Sequence, residues 1–180
     1  MASDATIPFS HPIRVEAIRQ RGTDVVLRPD EAERVALARA LELSALDELV
    51  ARYHLTRNGD KVKLSGEIEA ELQQVCVVTL EAFPVSLKIP VKLDFAPELA
   101  EILPRKLADQ EIDLEVRLNE EDPPEPILDG TIDLGVVTQE FLALSLDPYP
   151  RKPGVSFDAD EAGIAPESPF AALAKLKREQ

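Results

Sequence analysis

The sequence holds one thiol, Cys76, and two imidazoles, His11 and His54, the side chains best suited to gripping a transition metal or to nucleophilic and acid–base chemistry. Their settings argue against all three. Cys76 stands at a strand-to-loop junction, Gln73-Gln74-Val75-Cys76-Val77-Val78-Thr79-Leu80-Glu81. One sulfur with no histidine near it in sequence is a poor zinc site, and the residue reads as a small, inert, buried hydrophobe. His54 falls on the polar side of an alternating run, and His11 belongs to an entry segment, Ser10-His11-Pro12. Glu67, Glu69 and Glu71 share one strand face, as do Glu111, Asp113 and Glu115. Such rows suit a divalent cation or an acid–base pair, but the simpler reading is the solvated face of a sheet. No H-E-x-x-H, G-x-S-x-G, Walker or dinucleotide glycine pattern occurs, and seven glycines leave little material for a phosphate cradle. The expectation is a protein without catalytic residues, metal or cofactor, and therefore not an enzyme.

The hydrophobic pattern says which elements carry these residues. Pro12 to Ile18 alternates loosely and reads as a strand, Arg21-Gly22-Thr23-Asp24 as a turn, and Val25-Val26-Leu27 as a second short strand. Asp30 and Glu33 form a capping-box signature ahead of Val35, Ala38 and Leu41 at helical spacing. Ser44 reads as a second cap, for a brief turn through Leu46 and Leu49. Leu49, Ala51, Tyr53 and Leu55 then alternate up to Asn58-Gly59, and Val62, Leu64, Gly66, Ile68, Ala70 and Leu72 alternate after it. With Asn58 and Gly59 as the two turn residues, Arg57 faces Asp60, Leu55 faces Val62 and Tyr53 faces Leu64, so apolar residues meet on one face.

A further alternating run covers Val85 to Phe95, with Pro90 marking an edge or a bulge. Ile112, Leu114, Val116 and Leu118 read as another half-buried strand, after an irregular or briefly helical stretch from Pro97 to Gln110. Asn119 to Pro126 is an acidic, proline-rich loop expected not to pack. Asp133 caps a helix with Leu134, Val137, Phe141 and Leu144 on one stripe, ended by Pro148; losing that cap is worth about 1 kcal/mol. Beyond Tyr149 the chain turns proline- and charge-rich, with a short amphipathic helix starting at Ser168-Pro169 and carrying Phe170, Leu173 and Leu176.

These elements predict an α+β fold: an antiparallel, strongly twisted sheet with a central hairpin, covered by two or three helices. Residues 8–150 form a single domain and 151–180 a flexible tail. The chain has 34 acidic against 20 basic side chains, a net charge of −14. The excess is lopsided, −3 over residues 1–90 and −11 over residues 91–180. Nucleic-acid affinity rests largely on Lys and Arg displacing counterions, so bare RNA is a disfavoured partner and a basic protein a natural one. Tyr53 and Phe95 fall on inward positions, which leaves no aromatic-and-basic surface for stacking bases. The opening residues lack a basic-then-apolar leader, and no apolar run approaches the roughly 18 residues of a membrane helix. A lone Cys fits a reducing compartment, so the expected location is the cytoplasm.

Three segments carry a resemblance. Cys76-Val77-Val78-Thr79-Leu80-Glu81, Asp129-Gly130-Thr131-Ile132-Asp133-Leu134-Gly135 leading into Glu140, and Asp147-Pro148-Tyr149-Pro150-Arg151-Lys152-Pro153-Gly154 resemble the YceD family of large ribosomal RNA subunit accumulation proteins. Ser168-Pro169-Phe170-Ala171-Ala172-Leu173 is similar to the end of its alphaproteobacterial branch. The resemblance implies support of large-subunit ribosomal RNA processing or accumulation, with a ribosomal protein or a pre-ribosomal particle as partner. It implies a binding role for Cys76, Asp129, Asp133, Glu140, Tyr149, Pro150 and Arg151. Many members carry a C-x-x-C pair that could hold a metal; Thr79 occupies its second position in this chain. The motif is therefore either a structural turn between strands or one whose metal role is lost.

On this reading the contact surfaces are Glu120 to Glu125 and Asp147 to Gly154, the latter made rigid by three prolines. The alternative is an acidic adaptor without a ribosomal role, docking its Phe170 to Leu176 helix in a partner's groove. No membrane or small-molecule partner is implied.

Overall fold

The computed structural model describes residues 8–97 and 124–156. In chain order the elements are β1 (Pro12–Arg14), a 3-10 turn (Val15–Ala17), β2 (Thr23–Leu27), α1 (Glu31–Ala40), β3 (Ala45–Asn58), β4 (Lys61–Val75), β5 (Ala82–Pro97), β6 (Glu125–Ile127), β7 (Thr131–Asp133) and α2 (Leu134–Ser145). Strands β2 to β6 form one sheet in sequence order, and β1 pairs with β7 in a separate ribbon. All pairings are antiparallel except β5 with β6, which run parallel. The fold is α+β. Pro97, expected to open an irregular stretch running to Gln110, instead ends β5 and pairs with Ile127; the rest of that stretch, the strand expected at Ile112 to Leu118 and the helix at Phe170 lie outside the described residues.

One face of the sheet is apolar because residues on a strand alternate faces. Tyr53, Leu55, Val62, Leu64, Ile68, Ala70, Leu72, Ile89, Val91 and Phe95 are buried there, joined by Leu37 of α1 and by Leu134, Val137 and Leu142 of α2. Tyr53 reaches across this core to α2. Its hydroxyl lies 2.8 Å from Thr138 Oγ1, which donates to the Leu134 carbonyl at 2.6 Å. Burial pushes the Tyr53 phenol up to about 12, against the opposing pull of the Thr138 bond.

The central hairpin forms with a different turn from the one expected. Asn58 pairs with Lys61, Leu55 with Leu64 and Tyr53 with Gly66, so Gly59 and Asp60 make the turn, with Gly59 at φ +63°. The two registers differ by two residues, which leaves every side chain on its expected face.

Elsewhere the hydrophobic spacing misleads for identifiable reasons. Ser44 caps no helix; its N–H bonds the Gln73 carbonyl at 3.0 Å at the head of β3. The register shifts between Leu46 and Glu48, and this bulge turns both Leu46 and Leu49 inward, a three-residue interval that mimics helical spacing. The 3-10 turn at Val15–Ala17 cuts the first expected strand short, and the second begins at Thr23, inside the turn expected there. In α1 the capping box is present, but Leu37 and Ala38 face the core while Val35 is 56% exposed. In α2 Leu142 is buried and Leu144 is 77% exposed. Glu125 and Pro126, expected in a non-packing loop, pair with Phe95 and Ala96. Pro90 sits in β5 with no break in register; among the described residues, nothing pairs with the far side of β5 before Phe95, so a missing donor there is tolerated.

Asp133 does more than cap α2. Oδ1 accepts from the Gly135 N–H at 2.9 Å and the Val136 N–H at 3.2 Å. It also takes the His11 N–H at 2.7 Å, while Oδ2 takes the Ser10 hydroxyl at 2.5 Å. Desolvation pulls this carboxyl upward, but those bonds outweigh it and hold it below the usual carboxylate range. Gly135 permits the crossing, since a Cβ there would stand 2.7 Å from the Phe9 carbonyl. Asp133→Ala therefore removes a cap and a tether together. Chemical denaturation should show a loss of about 2 kcal/mol, the upper end of the range for caps; an unchanged midpoint would refute the tether.

Candidate interaction site

Strand β4 ends at Val75 and β5 begins at Ala82, leaving six residues to reverse the chain. Cys76 closes the reversal at both ends: its N–H bonds the Glu81 carbonyl and its carbonyl accepts from the Leu80 N–H, each at 2.9 Å. The tight path holds Leu80 at φ +58°. For a residue with a Cβ, that left-handed conformation costs about 1–2 kcal/mol. The Leu80 side chain recovers nothing by burial, being 78% exposed.

The segment after α2 folds back onto this turn. Gln74 Nε2 donates to the Asp147 carbonyl at 3.2 Å, and the Val77 N–H to the Pro150 carbonyl at 2.9 Å. Asp147 Oδ1 accepts from the Tyr149 N–H at 2.8 Å, setting an Asx turn that leaves the Tyr149 ring 72% exposed. Lys152 joins the segments twice, its N–H 3.4 Å from Cys76 Sγ and its ammonium 3.1 Å from Glu81 Oε2. Chain exit and strand turn thus form one bipartite knuckle.

Cys76 is closed off from solvent by the knuckle itself. The Lys152 N–H, first, with the Thr79 hydroxyl and N–H and the Val78 N–H favour the thiolate, and together they outweigh desolvation and lower its pKa to about 6. Thr79 helps close the turn, its hydroxyl accepting from the Glu81 N–H at 3.4 Å. Among the described residues no three of His, Cys, Asp and Glu are grouped to hold a metal ion.

Cys76, Tyr149, Pro150 and Arg151 therefore come together, with Arg151 exposed. Asp129 and Asp133 lie beyond the other end of α2, roughly 18 Å away along its 12 residues. Asp129 forms the exposed β6–β7 turn with Gly130, at φ +51° and +65°. Glu140 lies exposed on α2 and joins neither group. Sequence reasoning missed Leu80, Thr79 and Lys152 as parts of the knuckle. All three lay inside motifs already singled out, but nothing in residue type marked Leu80 within its motif, because leucine does not favour a left-handed turn. On the outer sheet face, Glu69 bridges Arg52 and Lys88, and the two cations, Arg52 first, draw its carboxyl down to about 2. His54 pairs with Asp24 at 2.6 Å.

The chain is an α+β scaffold with two distant segments locked into one exposed knuckle. A family model described as large ribosomal RNA subunit accumulation protein YceD matches residues 64–177, and the chain belongs to this family. That span covers the knuckle and all three motifs. No curated protein and no solved structure matches the chain.

The lowered thiol predicts a pH dependence with a definite sign. Folding favours the thiolate, so its contribution is full above the ordinary value of 9.0 and is lost as pH falls through about 6. In melts from pH 5 to 9, the Tm advantage of the wild type over Cys76→Ser should grow with pH. A constant difference would show that the sulfur stays protonated.

Proposed function

We propose that this protein is a non-enzymatic cytoplasmic factor supporting the accumulation and processing of large-subunit ribosomal RNA. It contacts ribosomal protein, or RNA already covered by protein, in the assembling particle. The observation that carries this reading is the knuckle: Cys76–Glu81 and Asp147–Lys152, distant in sequence, share hydrogen bonds and an ion pair in an exposed feature. Family membership supplies the ribosomal direction. The net charge of −14 favours protein over bare RNA as the first contact. Asp147 to Gly154 serves as one contact surface. The acidic Glu120 to Glu125 serves as a second, and apart from its end it lies outside the described residues.

Tagging the protein in its native cell, crosslinking, and sequencing the copurified RNA and protein tests this. Large-subunit precursor RNA should exceed small-subunit RNA by tenfold or more and should arrive with its ribosomal proteins. Recovery of neither would overturn the proposal and leave an acidic adaptor with an unrelated partner.

A further inference from the structure

Nine large hydrophobic side chains stand exposed among the described residues, and four of them, Leu80, Tyr149, Val77 and Val75, belong to the knuckle or its edge. Their density marks the knuckle as a binding surface, since exposed apolar residues scattered singly need no explanation and a cluster does. The knuckle is also preorganised. The Val77–Pro150 bond, the double attachment of Lys152 and the flanking Pro148 and Pro150 hold the exposed side chains in place, so little ordering remains to oppose association. Leu80 is held in a left-handed conformation while projecting into solvent. Backbone strain of this kind clusters where structure serves recognition.

We infer that the Val77–Leu80 turn together with Tyr149 docks a basic protein segment bearing apolar side chains. This deepens the proposed function and rests on it. Charge selects the occupant. Glu42 and Asp147 line a 320 Å³ groove beside Val75 and Pro150, Asp47 lies over Gln73, and Glu81 engages Lys152. Against these four acids stand Arg151, Lys152 and, in the groove beside Asp47, Arg39, so the surroundings keep the sign of the whole chain, −14. Phosphates would meet this field unfavourably, and aliphatic side chains offer nothing to base edges. A second copy would bring the same acidic surface against itself in a self-complementary contact. A cationic peptide with apolar anchors satisfies both the field and the exposed side chains.

Leu80→Gly and Tyr149→Ala test this. Glycine adopts positive φ without steric cost, so Leu80→Gly should melt no lower than the wild type, and any loss of binding is then not a loss of fold. The immobilised full chain is challenged with the unfractionated basic proteins stripped from large ribosomal subunits, and separately with protein-free large-subunit RNA. The wild type should retain a subset of the proteins, each variant should retain at least tenfold less, and the RNA should not bind. The inference is overturned if the wild type retains none, if both variants retain as much as the wild type, if RNA alone binds with the same sensitivity, or if the variants instead shift a monomer–dimer equilibrium in sedimentation. Copurification from cells separates the two failures. Precursor particles recovered equally by wild type and variants would refute the docking surface and leave the biogenesis role standing. Variant-sensitive protein binding without particles in the cell would refute the role.

Discussion

Strand β4 is the constraint on which the other elements depend. It is paired from Lys61 to Gln73 with β3 on one side and from Val62 to Val75 with β5 on the other. Its inward residues Val62, Leu64, Ile68, Ala70 and Leu72 are almost wholly shielded from water. A one-residue slip would turn this entire row to solvent, so the register is held by burial as much as by hydrogen bonds. With that register set, the strand's end fixes where Cys76 stands, and Tyr53 on the neighbouring strand fixes the helix through Thr138. The helix in turn delivers Asp147 to the knuckle. The site is thus positioned by the middle of the sheet although it lies at one end.

The wet face of the sheet balances itself. Arg52, Glu69 and Lys88 form a lateral row across three strands, and Lys63 and Asp94 form another. The described residues hold 19 acidic and 14 basic side chains, a net of −5, so −9 of the total −14 belongs to the remaining residues. The acidity of the chain is therefore mostly not a property of the sheet. Exposed pairs of this kind contribute little stability singly, but their alternation keeps the outer sheet face from presenting one sign of charge.

Much of the fold was legible in the sequence because period-two alternation is unambiguous over long strands. Leu49 to Leu55, Val62 to Leu72 and Val85 to Phe95 each declare their faces, and the capping residues Asp30 and Asp133 announce α1 and α2. The misreadings arose where one local rule competed with a tertiary one. The bulge at Asp47 gave Leu46 and Leu49 a helical interval inside a strand. Val35 and Leu144 lie one step off the stripes that dock, and periodicity alone cannot choose between adjacent stripes. The knuckle was half visible: both segments could be singled out, but their meeting depends on Lys152 and Pro150 returning across some 70 residues of chain, which no local pattern encodes.

The pairing of β1 with β7 bears on the order in which the molecule takes shape. The hairpins β3–β4 and β4–β5 join strands that follow one another closely, whereas Ile13 must wait for Ile132. At roughly 5–20 residues per second, the ribosome needs about 6–24 s to make the intervening stretch. During that time Phe9 and Ile13 have no strand to lie against, while the central hairpins can already form. The amino-terminal ribbon is therefore a late clasp, closed over a preformed sheet once Asp133 emerges to receive Ser10 and His11.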